Sequence, residues 1–325
     1  MSNIVGQGSD ITSSHNITSS VFEDIKTKFY LVKYGEFHWS KMILPASVDT
    51  GINVGARSSS YPITDNTGMG AFVNAAGTNI PTVNYGVSKS TVPIEMAAVS
   101  GIVTLDEARQ VAMGYSGVNM ITKIGGIMRK AAERHIERSF FFGNADLGFD
   151  GFINNPSIAI AAASAKAAGG TAWDVATADE IIDEVNNAIS LISENTRQIA
   201  QANHVILPTR QFNRMATLRI GDTNISVLEY LRKNNVYTAN TGQELIISSI
   251  PYTNDIAVAN PPVAAGTGRM IVKVQSEEND WLPMPETPNM LAPQPIDLST
   301  KLYATYTIGP YHNRYPAEMI YVDGI

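Results

Sequence analysis

Residues 104–142 have the sequence TLDEARQVAMGYSGVNMITKIGGIMRKAAERHIERSFFF, which predicts the longest helix of the chain. Thr104 and Glu107 stand in the spacing of a capping box, in which the threonine caps the helix and the glutamate returns to the cap amide. Apolar residues then recur at helical spacing as far as Phe140. A continuous helix over this run would be about 57 Å long.

Four glycines interrupt the run: Gly114, Gly117, Gly125 and Gly126. Each costs a helix roughly 1 kcal/mol relative to alanine. We therefore expect this long helix to bend or break inside the run. A helix of this length spans a domain instead of sitting within one core.

The segment before the helix is unusually poor in charge. Residues 51–100 hold six Gly, six Ser, five Thr and five Asn, and their only charged residues are Arg57, Asp65, Lys89 and Glu95. A structureless loop of this length is improbable in a compact domain. Two interpretations remain open: a β-rich subdomain with several turns, or a long β-hairpin that packs on a neighbouring subunit. Residues 1–20, rich in Ser, Thr, Asn and Gly, are predicted to be a mobile arm.

The chain after the long helix alternates shorter helices and strands. A second capping box at Thr177 and Glu180 predicts a helix to about Arg197, and two more helices begin at Pro208 and at Ser226, the latter ending at Lys233. The predicted strands cover residues 204–207, 245–250, 256–258, 270–274, 302–308 and 317–322. The fold class that follows is α+β.

Composition excludes several classes of protein. Charged residues make up 16% of the 325 residues and hydrophobic residues 44%, so the chain is charge-poor but not disordered. The chain has no cysteine, which excludes disulfide frameworks and thiolate metal sites. The net charge of −7 comes without a basic stripe, so sequence-specific reading of nucleic acid is not expected. The sequence predicts no membrane span and no secretory signal.

A search for catalytic motifs ends without a candidate. The five histidines form no metal-binding pair at helical spacing, His135 is interpreted as part of a solvated helix face, and glycine pairs lack the context of a phosphate loop. Glu277, Glu278 and Asp280 are interpreted as a solvated acidic loop, with a divalent-ion site as the alternative. We predict no catalytic, cofactor-binding or metal-binding residue, and therefore no enzyme.

One motif resembles a known family. Residues 148–156, GFDGFINNP, follow a long helix that ends in Phe-Phe-Gly. This turn resembles one in the major capsid proteins of tailed phages with the Hong Kong 97 fold, in particular a branch long catalogued as a phage-related domain of unknown function. The order of arm, extended loop, long helix and mixed α/β block is similar as well, over roughly residues 20–325.

The resemblance implies a division of the chain. An N-terminal arm and entry segment would be followed by an extended β-hairpin loop, a peripheral domain with a spine helix, a mixed α/β axial domain, and strands that return to the peripheral domain. The implied boundaries are 1–44, 45–100, 101–159, 160–290 and 291–325.

The resemblance also implies a function. The chain would assemble with itself, as pentamers and hexamers, into an icosahedral virion shell around double-stranded DNA. Assembly would take place in the bacterial cytoplasm, with portal, scaffold and decoration proteins as further partners and without a membrane or cofactor. The alternatives are an encapsulin-like nanocompartment shell and, from another class, a metal-dependent hydrolase that uses the acidic loop near Glu277.

Overall fold

The computed structural model describes residues 37–68, 72, 82–114, 120–253 and 268–325. The predicted arm at residues 1–20 and the predicted strand at 256–258 lie outside the described residues. So do residues 115–119, in the middle of the long helical run.

The helices lie mostly in the middle of the chain. They are α1 (Trp39–Met42), α2 (Leu105–Gly114), α3 (Met120–Phe142), α4 (Ala178–Asn195), α5 (Thr209–Thr217), α6 (Val227–Lys233) and α7 (Val236–Thr241). The helices predicted at Thr104, Thr177, Pro208 and Ser226 are all confirmed in type and in starting point.

The strands occupy the two ends of the described chain and its centre. They are β1 (Val48–Asp49), β2 (Ser58–Thr67), β3 (Asn84–Pro93), β4 (Glu95–Thr104), β5 (Ala159–Ala162), β6 (His204–Pro208), β7 (Ile246–Ile250), β8 (Arg269–Lys273), β9 (Asp280–Pro283), β10 (Glu286–Met290), β11 (Gln294–Ile296), β12 (Ser299–Ile308), β13 (His312–Asn313) and β14 (Met319–Asp323).

A five-stranded mixed sheet forms the centre of the subunit, in the order β5-β14-β8-β6-β7. Every residue of β6 and β8 is buried, because both faces of this sheet are covered. Val205 and Leu207 face a core that includes the apolar side of α4. Ile206, between them, faces a second core that includes the last turns of α3. The sheet thus lies between the two largest cores of the described chain.

A four-stranded sheet has β12 at its centre. Along its whole length β12 pairs with β4 on one side, from Ser299 opposite Thr104 to Ile308 opposite Glu95. On its other side it pairs with β10 and β11. Leu302, Ala304 and Tyr306 are buried while Tyr303 and Thr305 are half-buried, as expected for a half-buried strand, but Thr307 and Ile308 at its end are both buried.

The last strand does not follow β12 into this sheet. β14 lies between β5 and β8 in the five-stranded sheet. The strands of segment 291–325, which was expected to return as a whole to the peripheral domain, therefore divide among three sheets: β11 and β12 lie in the four-stranded sheet, β13 in a small sheet with β1 and β9, and β14 in the five-stranded sheet. The physical reason is that Ile320 and Val322 complete the core over α4. β4, which begins at Glu95 within the implied loop 45–100, pairs with β12 in the four-stranded sheet.

The GFDGFINNP turn closes the carboxyl end of α3. The amides of Phe152 and Ile153 donate to the carbonyl oxygens of Phe140 and Phe141, at 2.8 and 3.1 Å. The Asn154 side chain accepts from the Gly151 amide at 2.9 Å and donates to the Phe142 carbonyl at 3.1 Å. Carbonyls at a helix end lack partners within the helix. The GFDGFINNP turn supplies donors to the last carbonyls of α3, which explains why it directly follows the helix.

Both predicted capping boxes form. The Glu107 amide donates to the Thr104 hydroxyl at 3.3 Å, and the Thr104 amide donates to the Glu107 carboxylate at 3.0 Å. Thr177 and Glu180 make the same reciprocal pair.

Helix α4 ends before Arg197, the residue to which it was predicted to extend. Arg197 and Gln198 have left-handed φ values of 54° and 65°. The Gln198 amide donates to the Ser193 carbonyl and the Arg197 amide to the Glu194 carbonyl, which is a Schellman closure. Glycine is usual at the position of Arg197, so the sequence carries no signal for this helix end.

Candidate interaction surface

A long hairpin projects from the subunit. β2 and β3 pair over their whole length, from Ser58 opposite Pro93 to Thr67 opposite Asn84. Ten residues at about 3.4 Å each make strands of roughly 34 Å. Among the described strands, β2 and β3 pair only with each other. The long β-hairpin predicted for this segment is thereby confirmed over the β-rich subdomain, while its packing on a neighbouring subunit stays a prediction. We use "hairpin" for these two strands.

One face of the hairpin carries an apolar stripe. Val83, Tyr85 and Val87 alternate along the chain and so share a face. They are 71, 68 and 60% exposed. Exposed apolar side chains are unremarkable singly, but a row of three on a projecting element marks a contact surface.

The hairpin is also nearly free of charge. Asp65 is the only charged residue of β2 and Lys89 the only one of β3. Burying charge is costly, so a surface of Ser, Thr, Val and Tyr can be covered at little electrostatic cost. A two-stranded hairpin alone is marginally stable in water. Contact with another surface would therefore stabilise this hairpin as well as bury its apolar stripe.

The base of the hairpin is held against a small three-stranded sheet, β1-β9-β13. The Tyr61 ring meets the Trp281 ring edge-on at 5.6 Å, and the Tyr61 hydroxyl lies 2.7 Å from His312 Nε2. The Arg314 guanidinium lies 5.0 Å from the Trp281 ring centre and 5.4 Å from that of Tyr61. The Trp281 indole donates to Asp49 at 3.2 Å. These contacts set the direction in which the hairpin leaves the subunit.

The acidic residues singled out in the sequence do not form one loop. Glu277 and Glu278 are exposed, but Asp280 is fully buried on β9. Asp280 accepts hydrogen bonds from the buried Lys273 ammonium, 2.9 Å from each carboxylate oxygen, and from the Tyr311 hydroxyl at 2.7 Å. The interpretation of Asp280 as solvated is wrong, because it is the counter-ion of a lysine inside the core.

A metal centre finds no support in the described part of the chain. Within it, no group of three or more His, Asp or Glu side chains is placed to hold an ion. The same residues include no helix long and apolar enough to cross a bilayer.

Several buried charged side chains gave no signal in the sequence, among them Glu137 and Arg269. Glu137 lies on α3 two residues after His135, whose helix face was interpreted as solvated, but it is 3% exposed; it accepts from the His38 amide at 3.1 Å and from the Tyr252 hydroxyl at 2.8 Å. Arg269 is fully buried and forms a two-pronged ion pair with Asp323. Glu137 stands next to Arg138, and Arg269 follows Gly268, so neither has a sequence environment that separates it from exposed charged residues. His135, by contrast, is exposed as predicted, with its ring 5.8 Å from that of Tyr306.

His204 gives the subunit a predictable sensitivity to acid. Burial, reinforced by the Lys273 charge, lowers the pKa of His204 from its ordinary 6.5 to about 3. The folded state therefore disfavours the protonated imidazole. The contribution of neutral His204 to the free energy of unfolding is fully present above pH 6.5. As pH falls from 6.5 towards 3, stability is lost at up to about 1.4 kcal/mol per pH unit. We expect the free energy of unfolding, measured in urea, to fall by roughly 2 kcal/mol between pH 7.5 and 5.

The control for this prediction is His204→Gln, which cannot gain the proton. Its free energy of unfolding should change between the two pH values by clearly less than that of the parent, whatever its absolute stability. His135→Gln, at an exposed position, should retain most of the parent's loss. An equal loss in parent and His204→Gln would show that another group controls the acid response.

One family model matches most of the chain. A family model described as "Major capsid protein" matches residues 68–325. No curated protein sequence matches the chain. The solved structures that match share its fold over nearly their whole length at low sequence identity.

Three of these structures illustrate the likeness. The capsid of the Myoviridae phage XM1 has a TM-score of 0.76 at 13% identity, covering 95% of this chain and 99% of that one. A structure from the Microbacterium phage Oxtober96 has a TM-score of 0.59 at 14% identity, with coverages of 94 and 97%. The capsid of an empty GTA particle, computed with C5 symmetry, has a TM-score of 0.58 at 15% identity, with coverages of 94 and 96%.

Proposed function

The chain belongs to the major capsid protein family and has the Hong Kong 97-type fold of phage capsids, and we propose that it assembles as pentamers and hexamers into an icosahedral shell around phage double-stranded DNA. The hairpin is the observation that carries this proposal. It is an element of about 34 Å that has an exposed apolar stripe, almost no charge, and pairing only within itself among the described strands. We propose that the hairpin packs on a second copy of the chain, which covers its apolar stripe.

Pentamers and hexamers built from one chain require contacts that tolerate small rotations between subunits. A long hairpin that lies across a neighbour can shift while it keeps most of its contacts. Each such contact is weak, but every subunit gives one and receives one, so that the sum over a closed ring is large. We call the described chain outside the hairpin the body. It has two large cores, one on each side of the five-stranded sheet, and it is the unit that the shell repeats.

Enclosure of DNA is the finer part of the proposal. The chain has a net charge of −7 and no basic block, which suits a container that holds DNA without gripping it. We propose that portal, scaffold and decoration proteins complete the particle and that assembly takes place in the host cytoplasm. A nanocompartment shell loaded with enzyme would use the same hairpin, so the contents of the particle separate the two functions.

Electron microscopy of the purified protein tests this proposal. At raised protein concentration we expect rings and closed shells with both five-fold and six-fold positions. Shells isolated from the producing phage or prophage should contain nuclease-protected double-stranded DNA. Persistent monomers under all conditions would contradict self-assembly, and shells that contain a protein cargo in place of DNA would identify the nanocompartment alternative.

A further inference from the structure

The hairpin leaves the body through a narrow connection. β3 ends at Pro93 and β4 begins at Glu95, so the single residue Ile94 separates a strand paired within the hairpin from a strand paired with β12. Ile94 is fully buried, and its amide donates to the Arg57 carbonyl at 2.9 Å. Ile94 thus anchors β3 at a fixed point, and we call this residue the pivot of the hairpin. The ion pair between Arg57 and Glu95 is exposed and adds little to this connection.

Beyond this pivot, Tyr61 makes the contacts that define the angle of the hairpin. Trp281 and His312 stand directly opposite each other on β9 and β13, and Tyr61 contacts both rings. The Arg314 guanidinium lies over the rings of Tyr61 and Trp281. The four side chains come from three separate parts of the sequence, and three of them belong to the body. They join the hairpin to the small β1-β9-β13 sheet.

The charge state of His312 favours this arrangement. Burial and the Arg314 guanidinium lower the pKa of His312, against the opposing attraction of Asp150. A neutral imidazole can accept the hydrogen of the Tyr61 hydroxyl 2.7 Å away. The neutral ring also avoids repulsion from Arg314. The Trp281 indole is held in turn by Asp49 on β1, so each strand of the small sheet takes part.

We propose that Tyr61, Trp281, His312 and Arg314 form a latch that fixes the angle between hairpin and body and that can open while the body stays folded. Such a latch can open alone only if its contacts are weaker than those that hold the body together. The body has two large cores, whereas the latch rests on one half-buried tyrosine. Each edge-to-face ring contact and each cation–π contact is weak compared with the stability of a whole domain.

The latch would control how readily subunits join, a consequence that rests on the proposed function. Only a hairpin at the correct angle can meet its neighbour without first being ordered. If the latched state were a fraction of the population, the apparent affinity between subunits would fall by that fraction. A closed latch therefore prepares the hairpin for contact before the neighbour arrives.

Distances between two spin labels test the latch directly. The chain has no cysteine, so Thr64→Cys on the hairpin and Lys130→Cys on α3, both exposed, can be labelled without interference. In dilute, monomeric protein we expect a narrow distance distribution for the parent and at least a two-fold broader one for Tyr61→Ala. Tyr61→Phe keeps the ring contacts and should broaden it by less than half as much. Tyr85→Ala, on the hairpin but outside the latch, should leave the width unchanged.

The thermal midpoint completes the test. It should change by no more than ~3 °C in Tyr61→Ala, since the body stays folded. A parent distribution already broad, or a Tyr61→Ala distribution as narrow as the parent's, would overturn the proposal, as would a Tyr61→Ala protein that loses its body fold. Assembly is scored separately: with the function as proposed, Tyr61→Ala should need a several-fold higher concentration to form shells. If the distances respond as expected but the parent never assembles, the latch stands and the proposed function fails.

Discussion

Replacing residues 63–88 by an Asn-Gly turn is expected to give a subunit that folds and melts like the parent but forms no shells. Pro62 and Lys89 are paired partners on β2 and β3, so two residues suffice to rejoin the shortened strands. The replacement removes the apolar stripe of Val83, Tyr85 and Val87 but keeps Tyr61 and the pivot at Ile94. None of these three apolar residues belongs to either large core. Calorimetry and electron microscopy of the same preparation measure the two halves of the prediction.

A matched variant separates loss of the stripe from loss of length. Val83→Ser, Tyr85→Ser and Val87→Ser together keep the hairpin and remove its apolar groups. Since burial of each such side chain contributes roughly 1.5–3 kcal/mol, we expect shells only at concentrations at least a hundred-fold higher than for the parent. Normal shells from the shortened chain would contradict the assignment of the hairpin as the contact surface. Loss of the folded body in that chain would show that the segment belongs to the core.

The hairpin was accessible to sequence reasoning because its signal is compositional. A surface that another molecule covers need not carry charge. The presence of only four charged residues among residues 51–100 is this signal. The capped helices were accessible for a similar reason, since Thr104 with Glu107 and Thr177 with Glu180 are complete within four residues. Local chemistry that satisfies local backbone groups can be recognised without the fold.

What the sequence concealed depends on contacts between distant residues. Tyr61 and His312 are 251 positions apart and meet only once β9 and β13 are paired. Asp280 resembles its exposed neighbours Glu277 and Glu278 until β8 places the Lys273 ammonium beside it. In the same way, the apolar run of β14 indicates a buried strand but not the sheet that it joins. Its place beside β8 follows from the core that it completes.

Gly151→Ala is expected to destabilise the subunit by about 4 kcal/mol or more, enough to abolish soluble expression of a marginally stable domain. An added Cβ would lie 2.4 Å from both the Phe141 carbonyl oxygen and the Asn154 side-chain oxygen. The first of these atoms is backbone and accepts from the Ile153 amide, so it cannot withdraw without breaking the closure of α3. That closure positions Phe152, which stacks on Phe140 at 5.2 Å inside the core. Denaturant unfolding and the soluble yield measure the effect.

Two further variants keep this prediction decisive where Gly151→Ala gives no soluble protein. Gly126→Ala changes an exposed glycine of α3 whose Cβ would meet nothing within 4 Å, so it should stabilise the helix by about 0.5–1 kcal/mol. Asn154→Ala removes the two hydrogen bonds that the side chain makes to Gly151 and Phe142 and should cost roughly 2 kcal/mol. If Gly151→Ala were tolerated as well as Gly126→Ala, the turn would not be the device that joins the long helix to the core. The hydrogen bonds between the GFDGFINNP turn and the end of α3 would then contribute little to the stability of the fold.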